Sequence, residues 1–361
     1  MATFEAGVNH PLAAKLWSKK LFREGLKQCF MSKFIGSDSN SAVQLLTEAK
    51  KDKGDTVHVG LRMQLSGAGV VGHNTLEGNE EDLTTYRDSV LLDELVHAVR
   101  SNVRITQQRV PFDVREEMRM GLQDWWSDRI DTSLINQMCG FTTQSDTRYT
   151  GNNATVAAST TSGNTRLITA GEDSEASISD TAVNTFTLSL IDKAVSVAKT
   201  ATPLIRTFRI NGSEMYAAIL HPYQVYQLRT STNTGQWLDI QKAAMQGGKI
   251  ADNPIFTGAL GVYNNVVLHE STRIPNIVST AGGGAAATVA NCKRAVLFGA
   301  QAAAMAVGMN SSPEKMTWVE EYFDYERQLG VSAGMIFGAK KTVFNSIDFG
   351  TVVMSSYSPA P

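Results

Sequence analysis

Apolar and polar positions change period several times along the chain, and each change marks a segment. Residues 1–53 set Leu12, Leu16, Trp17, Leu21 and Phe22 at helical intervals among lysines, which predicts an amphipathic arm. Thr56–Leu65 (TVHVGLRMQL) alternates and carries β-branched residues, predicting a strand, and Asn102–Val110 predicts a second extended run. At Phe112 the period lengthens. Val114, Met118, Leu122 and Trp125 form one stripe and Trp126, Ile130 and Leu134 its neighbour, so Phe112–Met138 predicts a helix with a wide apolar face. Pro111 precedes it, Asp113 can cap its first amides, and Glu116 completes a capping pair. At 1.5 Å per residue such a helix is about 40 Å long.

The second half is punctuated differently. Residues 141–185 hold 17 Ser/Thr among 45 and little periodicity, which predicts a loop or excursion. Thr187 opens a short helix carrying Leu188, Ile191, Val195 and Ala198, and Met215–Leu220 (MYAAIL) predicts a buried strand. Pro222 permits a helix to begin at once with Val225, Tyr226 and Leu228, and Gln236–Gln246 predicts another. Gly258–Leu268 predicts a turn and strand, Arg294–Phe298 a strand, and Ala300–Val307 a small-residue helix. Gly282, Gly283 and Gly284, followed by three alanines, form a small-residue loop. Met316–Met354 alternates strands with glycine turns, which suits a discontinuous domain built from residues before 141 and after 315.

Composition narrows the function. With 361 residues and 42% apolar content, the chain can bury two compact units, or one with long excursions. A formal charge of −2 argues against a dedicated nucleic-acid binder. That charge is unevenly spread: residues 1–53 carry nine Lys/Arg against five Asp/Glu, a net of +4, whereas Glu77–Glu94 carries seven acidic residues and one arginine, a net of −6. The three cysteines lack metal-ligand spacing and predict buried thiols in a reducing compartment. No signal peptide or membrane span is predicted.

Motifs for chemistry are weak. Gly67-Ala-Gly69-Val-Val-Gly72 satisfies GxGxxG after a predicted strand, yet the acidic, turn-rich sequence beyond it would repel a pyrophosphate. Gly247-Gly248-Lys249 lacks the rest of a phosphate-binding loop and predicts a helix stop. The six histidines show no paired metal spacing, there is no GxSxG elbow, and Glu80-Glu81 and Glu320-Glu321 point no acid and base at a common substrate. No catalytic, cofactor or metal residue is assigned.

The stretch LHPYQVYQLRTSTNTGQWLDIQKAAMQGGKIADNPIFTGALGVYNNVVLHESTRIP, Leu220–Pro275, together with the long helix upstream and the strand-rich tail downstream, resembles the major capsid proteins of tailed bacteriophages, specifically the N-four-like family. The resemblance is strongest over Thr187–Pro275 and consistent from Phe112 onward. It implies an α+β, HK-ninety-seven-like capsid fold. In that fold residues 1–53 are an N-terminal arm, 54–110 an extended β loop, 111–140 with 315–361 a peripheral domain around a spine helix, and 186–314 an axial domain. The 141–185 segment would be an insertion or loop. The implied function is structural: self-assembly as pentamers and hexamers into an icosahedral head enclosing double-stranded DNA held by non-specific contact. Implied partners are a separate scaffolding protein, a portal and a decoration protein, with assembly in the infected bacterium's cytoplasm and no membrane. Subunit-interface candidates are Trp17, Gly67, Gly69, Glu80, Glu81, Asp82, Gly282, Gly283 and Gly284. Two alternatives stay open: an encapsulin-like nanocompartment shell that shares the fold, and a dinucleotide-dependent enzyme using Gly67–Gly72.

Overall fold

The computed structural model describes residues 29–50, 54–102, 113–142, 153–161, 164–210, 212–230, 260–277, 291–308 and 317–361. Its first half runs through β1 (Ile35–Gly36), β2 (Val43–Leu46), β3 (Thr56–Arg62), β4 (Thr85–Leu91), β5 (Asp93–Arg100) and helix α1 (Val114–Cys139). Next come β6 (Leu167–Thr169), α2 (Leu188–Thr200), β7 (Phe208–Ile210), β8 (Ser213–Leu220), α3 (Pro222–Thr230), β9 (Gly261–Tyr263) and β10 (Val266–Glu270). The last strands are β11 (Cys292–Phe298), β12 (Ala303–Val307), β13 (Thr317–Phe323), β14 (Gln328–Lys341), β15 (Val343–Phe344), β16 (Ile347–Asp348) and β17 (Thr351–Tyr357).

Two mixed sheets organise these elements. The first has the order β1-β2-β12-β14-β13, with β5 on the long strand β14; the second has the order β6-β17-β11-β8-β10-β9, with β7 on β8. Helix α1 lies against both: Leu122, Trp126, Ile130, Leu134 and Met138 share one core with Val331, Ala333 and Met335 of β14 and with Ala217, Ile219, Val296 and Phe298 of the second sheet. Alternate residues of those last strands, Ala218, Leu220, Ala295 and Leu297, face a separate core under α2 and α3. Burial on both faces is why MYAAIL is apolar without a break.

Helix α1 starts where its sequence says it should. The Asp113 side chain accepts the Arg115 N–H at 2.9 Å, and the helix stops at Gly140, whose left-handed φ of 63° no branched residue adopts cheaply. An expected single apolar face is only half the picture: from Arg129 to Cys139 every residue is buried, because both sheets close over this end. Tight turns fall at Asn264-Asn265 (φ 45° and 60°) between β9 and β10 and at Asn345-Ser346 (φ 49° and 60°) between β15 and β16. Both are two-residue hairpin loops of the kind that demands left-handed residues.

Several expectations are corrected. Ala300–Val307 forms no helix: Ala303–Val307 is β12, parallel to β2 and antiparallel to β14. Ala303, Met305 and Val307 face the α1 core and Ala304 and Ala306 a smaller one beneath the β3–β4 hairpin, so period two is satisfied by small residues on both sides. Within 54–110, expected as an extended loop, β5 pairs with β14 over eight residues from Asp93↔Phe337 to Arg100↔Gly330 and so belongs to the first sheet. The sheets also cross the boundary drawn at 314/315, because β12 joins the first sheet and β17 pairs with β11 in the second. Within 141–185, β6 runs parallel to β17, and Arg166 and Glu175 are buried, so this stretch is woven into the second sheet. The helix expected at Gln236–Gln246 and most of the run Asn102–Val110 lie outside the described residues.

Candidate assembly surfaces

The β3–β4 hairpin pairs seven residues on each strand, from Thr56↔Leu91 to Arg62↔Thr85, and then opens into residues 63–84. Its base is clamped. Asp88 forms an ion pair with Lys340 and accepts the Val343 N–H at 2.9 Å through its other oxygen, while the Asn153 amide brackets the Leu91 backbone, with both contacts at 2.9 Å. The tip is the opposite: its side chains are almost all exposed, including Leu65, Val71, Leu76 and Leu83. Desolvating such residues against a second surface is favourable by about 25 cal/mol per Å².

The expected interface residues Gly67, Gly69, Glu80, Glu81 and Asp82 are together on this tip. The Glu81 carboxylate accepts the Ser66 N–H at 2.8 Å and the Gly67 N–H at 2.6 Å, which ties the two sides of the opening and holds its carboxyl below the usual range. A Cβ at Gly67 would stand 2.7 Å from Glu81 Oε2, and Gly69, Gly72 and Gly78 all have positive φ. Glycine is thus needed here for turning the chain. No helix begins at Gly72; the next regular element is β4 at Thr85, so no helix N-terminus faces a pyrophosphate and the dinucleotide reading falls. Trp17, Gly282, Gly283 and Gly284 lie outside the described residues.

A second feature fixes the chain just ahead of β1. Asp131, fully buried on α1, accepts the Phe30 N–H at 2.8 Å and the Met31 N–H at 2.9 Å, and its carboxylate lies 3.1 Å from Arg273 Nη1. Cys29 donates its thiol hydrogen to the same carboxylate, and burial beside that charge pushes its pKa far up, leaving an inert thiol. Burial likewise raises Cys139 to about 12 and Cys292 to about 11. A lone buried carboxylate would be costly; here two backbone amides and a guanidinium offset it.

Further buried pairs fasten distant segments. Arg294 binds Glu175 and donates to the Gly140 carbonyl at 2.7 Å, and Lys341 Nζ lies 2.9 Å from Asp348 Oδ1. Burial lowers the Lys341 pKa and raises that of Asp348, the direction expected when desolvation opposes both charges. None of these partners was visible in the sequence. Their one signal was charged residues set inside apolar runs, as Asp131 is beside Ile130.

The outward side of the first sheet presents a shallow groove of about 260 Å³ over β5, β13 and β14, lined by Ala98, Val319, Gly330 and Ser332. The Arg100 guanidinium sits 4.1 Å over the Phe323 ring at its rim. Beyond it, the β13–β14 turn holds Asp324, Tyr325 and Glu326 all at positive φ, with Tyr325 98% exposed. Strained turns carrying an exposed aromatic are suited to contact rather than to folding.

Residues 5–360 match the family model described as phage capsid protein. The major capsid protein of Pseudomonas phage KPP25 is 32% identical over 93% of each chain. Among solved structures, the capsid of Ralstonia phage GP4 aligns with a TM-score of 0.77 at 27% identity, covering 100% of this chain and 96% of that one. The Cyanophage Pam1 capsid asymmetric unit aligns at 0.71 with 21% identity, covering 93% and 94%.

Proposed function

The chain belongs to the phage capsid protein family and is a major capsid protein, the repeating subunit of an icosahedral phage head; from that premise we propose how its parts divide the work of closing a shell. Residues 1–28 act as an arm along a neighbour, whereas β1 and β2, later in the segment 1–53 expected to be that arm, belong to this chain's own first sheet. The β3–β4 hairpin is the extended loop, α1 and the first sheet form the peripheral domain, and the second sheet with α2 and α3 forms the axial domain. One chain makes both pentamers and hexamers because head-to-tail contacts close into rings of either size when loops and arm adjust. Many weak contacts then accumulate into a strong shell.

The role is structural and needs no catalytic residue. Subunits assemble in the cytoplasm of the infected bacterium around a separate scaffolding protein and a portal, a decoration protein can reinforce the shell, and the cargo is double-stranded DNA. The nanocompartment alternative shares the fold but holds protein, so nuclease-protected DNA in purified heads separates the two.

The observation that carries this division is the contrast within the hairpin, a base clamped by Asp88 and Asn153 and a tip touching little of its own chain. Replacing residues 67–82 by a short Gly-Ser turn should leave the isolated subunit's melting temperature unchanged and abolish closed shells in electron micrographs. Normal heads from that variant would remove the hairpin from the assembly mechanism.

A further inference from the structure

A cleft of about 650 Å³ opens beside the end of α2, outside every surface described above. Lys199, Arg206 and Arg209 line it, against one carboxylate, Glu214, so its walls carry a net charge of +2. The Lys199 ammonium makes no hydrogen bond or ion pair among the described residues. The only ion pair of Arg209 among them, with Glu214, is long at 3.7 Å and exposed on both sides. The floor is apolar, with Leu204 59% exposed beside Ile205 and Tyr216.

The walls are rigid. Asn40 clamps the Arg209 backbone from both sides, accepting its N–H at 2.9 Å and donating to its carbonyl at 3.1 Å. Arg206 donates to Gln301 at 2.9 Å, and its carbonyl accepts the Ala300 N–H at 2.8 Å. Gly299 is pressed so close that a Cβ would stand 2.0 Å from that carbonyl. The backbone of the cleft is thus formed before anything binds, and the ordering cost on this side is confined to the Lys199 and Arg209 side chains.

An occupant must supply negative charge and apolar contact together. Residues 63–84 carry four carboxylates, Glu77, Glu80, Glu81 and Asp82, and no Lys or Arg. Leu76 and Leu83, 61% and 57% exposed, flank that acidic run. A phosphodiester backbone would match the cations but leave Leu204 uncovered.

We propose that the acidic hairpin tip of a second copy of this chain docks in the Lys199–Arg206–Arg209 cleft, its carboxylates facing the cations and Leu76 or Leu83 covering Leu204. The inference rests on the hairpin's role as the extended loop and names its receptor. Rim charges of this kind fix register and partner choice more than they add affinity.

The test uses heads assembled during infection by phage carrying changes in this gene. Three variants are compared with wild type: Lys199→Glu with Arg209→Glu, Glu77→Lys with Asp82→Lys, and all four together. Each one-sided reversal should lower the yield of closed heads at least tenfold, and the combination should recover most of it. A matching soluble-subunit melt for every variant excludes misfolding. One-sided variants that assemble like wild type, or a combination no better than they are, would overturn the proposal. So would normal shells that have lost only their DNA, an outcome that assigns the cleft to the cargo. A separate arm uses Asp82→Cys with Arg209→Cys, expected to give a ladder of disulfide-linked subunits from oxidised heads; its absence counts against the contact. If instead wild-type heads did not contain this chain, the capsid reading itself would fail.

Discussion

His221 stands immediately before α3 and serves as its cap: its Nδ1 accepts the Tyr223 N–H at 3.1 Å, and its own N–H is held by Gln224 Oε1 at 2.9 Å. Only the neutral ring can accept that bond. Burial, with the Lys293 charge nearby, lowers its pKa from 6.5 to about 4. The unfolded chain therefore takes up a proton below about 6.5 while the folded one resists until about 4, so stability is complete above this window and is lost as pH falls through it. At 1.36 kcal/mol per unit, the loss by pH 5 is about 1–2 kcal/mol. His221→Asn keeps an acceptor at the cap and removes the titration. Urea midpoints at pH 7 and pH 5 should accordingly converge in the variant and stay apart in wild type; equal acid sensitivity in the two would mean that His221 is not the titrating group.

At the scale of elements, α1 is the member most fully written in its own sequence. Asp113 caps it, Glu116 and Glu117 complement its first turn, and Gly140 ends it. Asp113→Ala should cost the subunit about 1 kcal/mol in a denaturant melt, the usual worth of a cap, and Asp113→Ser should recover most of it. The strand β8 was equally legible, because burial on both faces leaves an unbroken apolar run. Strand β12 was not. Its alanines favour a helix in isolation, and only pairing with β2, some 260 residues earlier, decides otherwise. The candidate interface was legible in part for the same reason. Acidic side chains and glycines mark the exposed tip, whereas the anchor of Asp131 to Phe30 and the cleft beside α2 join residues 101 and about 170 positions apart, which no window of sequence brings together.

For the molecule as a whole, charge bears on how a head could hold DNA. A chain of net −2 cannot neutralise many phosphates, and non-specific affinity for duplex DNA grows with the number of phosphates a protein neutralises. Several cations are already committed to buried carboxylates: Arg294 of β11 to Glu175, Lys341 of β14 to Asp348, and Arg273, just after β10, to Asp131. These pairs thus serve cohesion, fastening the second sheet to the stretch around Glu175, β14 to β16, and the segment after β10 to α1. On the proposed reading that the cargo is double-stranded DNA, its retention follows from closure of the shell, with little contribution from affinity of the wall. Free subunits should accordingly leave duplex DNA unshifted in a gel at about 150 mM salt, with a dissociation constant no tighter than about 10⁻⁴ M, the weak end of non-specific binding. Heads should release their DNA when the shell is opened, at a rate that changes little between low and moderate salt. A micromolar shift with a steep salt slope would instead require cations gathered on one surface, and residues 1–28, with five Lys/Arg against two Glu, a net of +3, would be the first segment to delete.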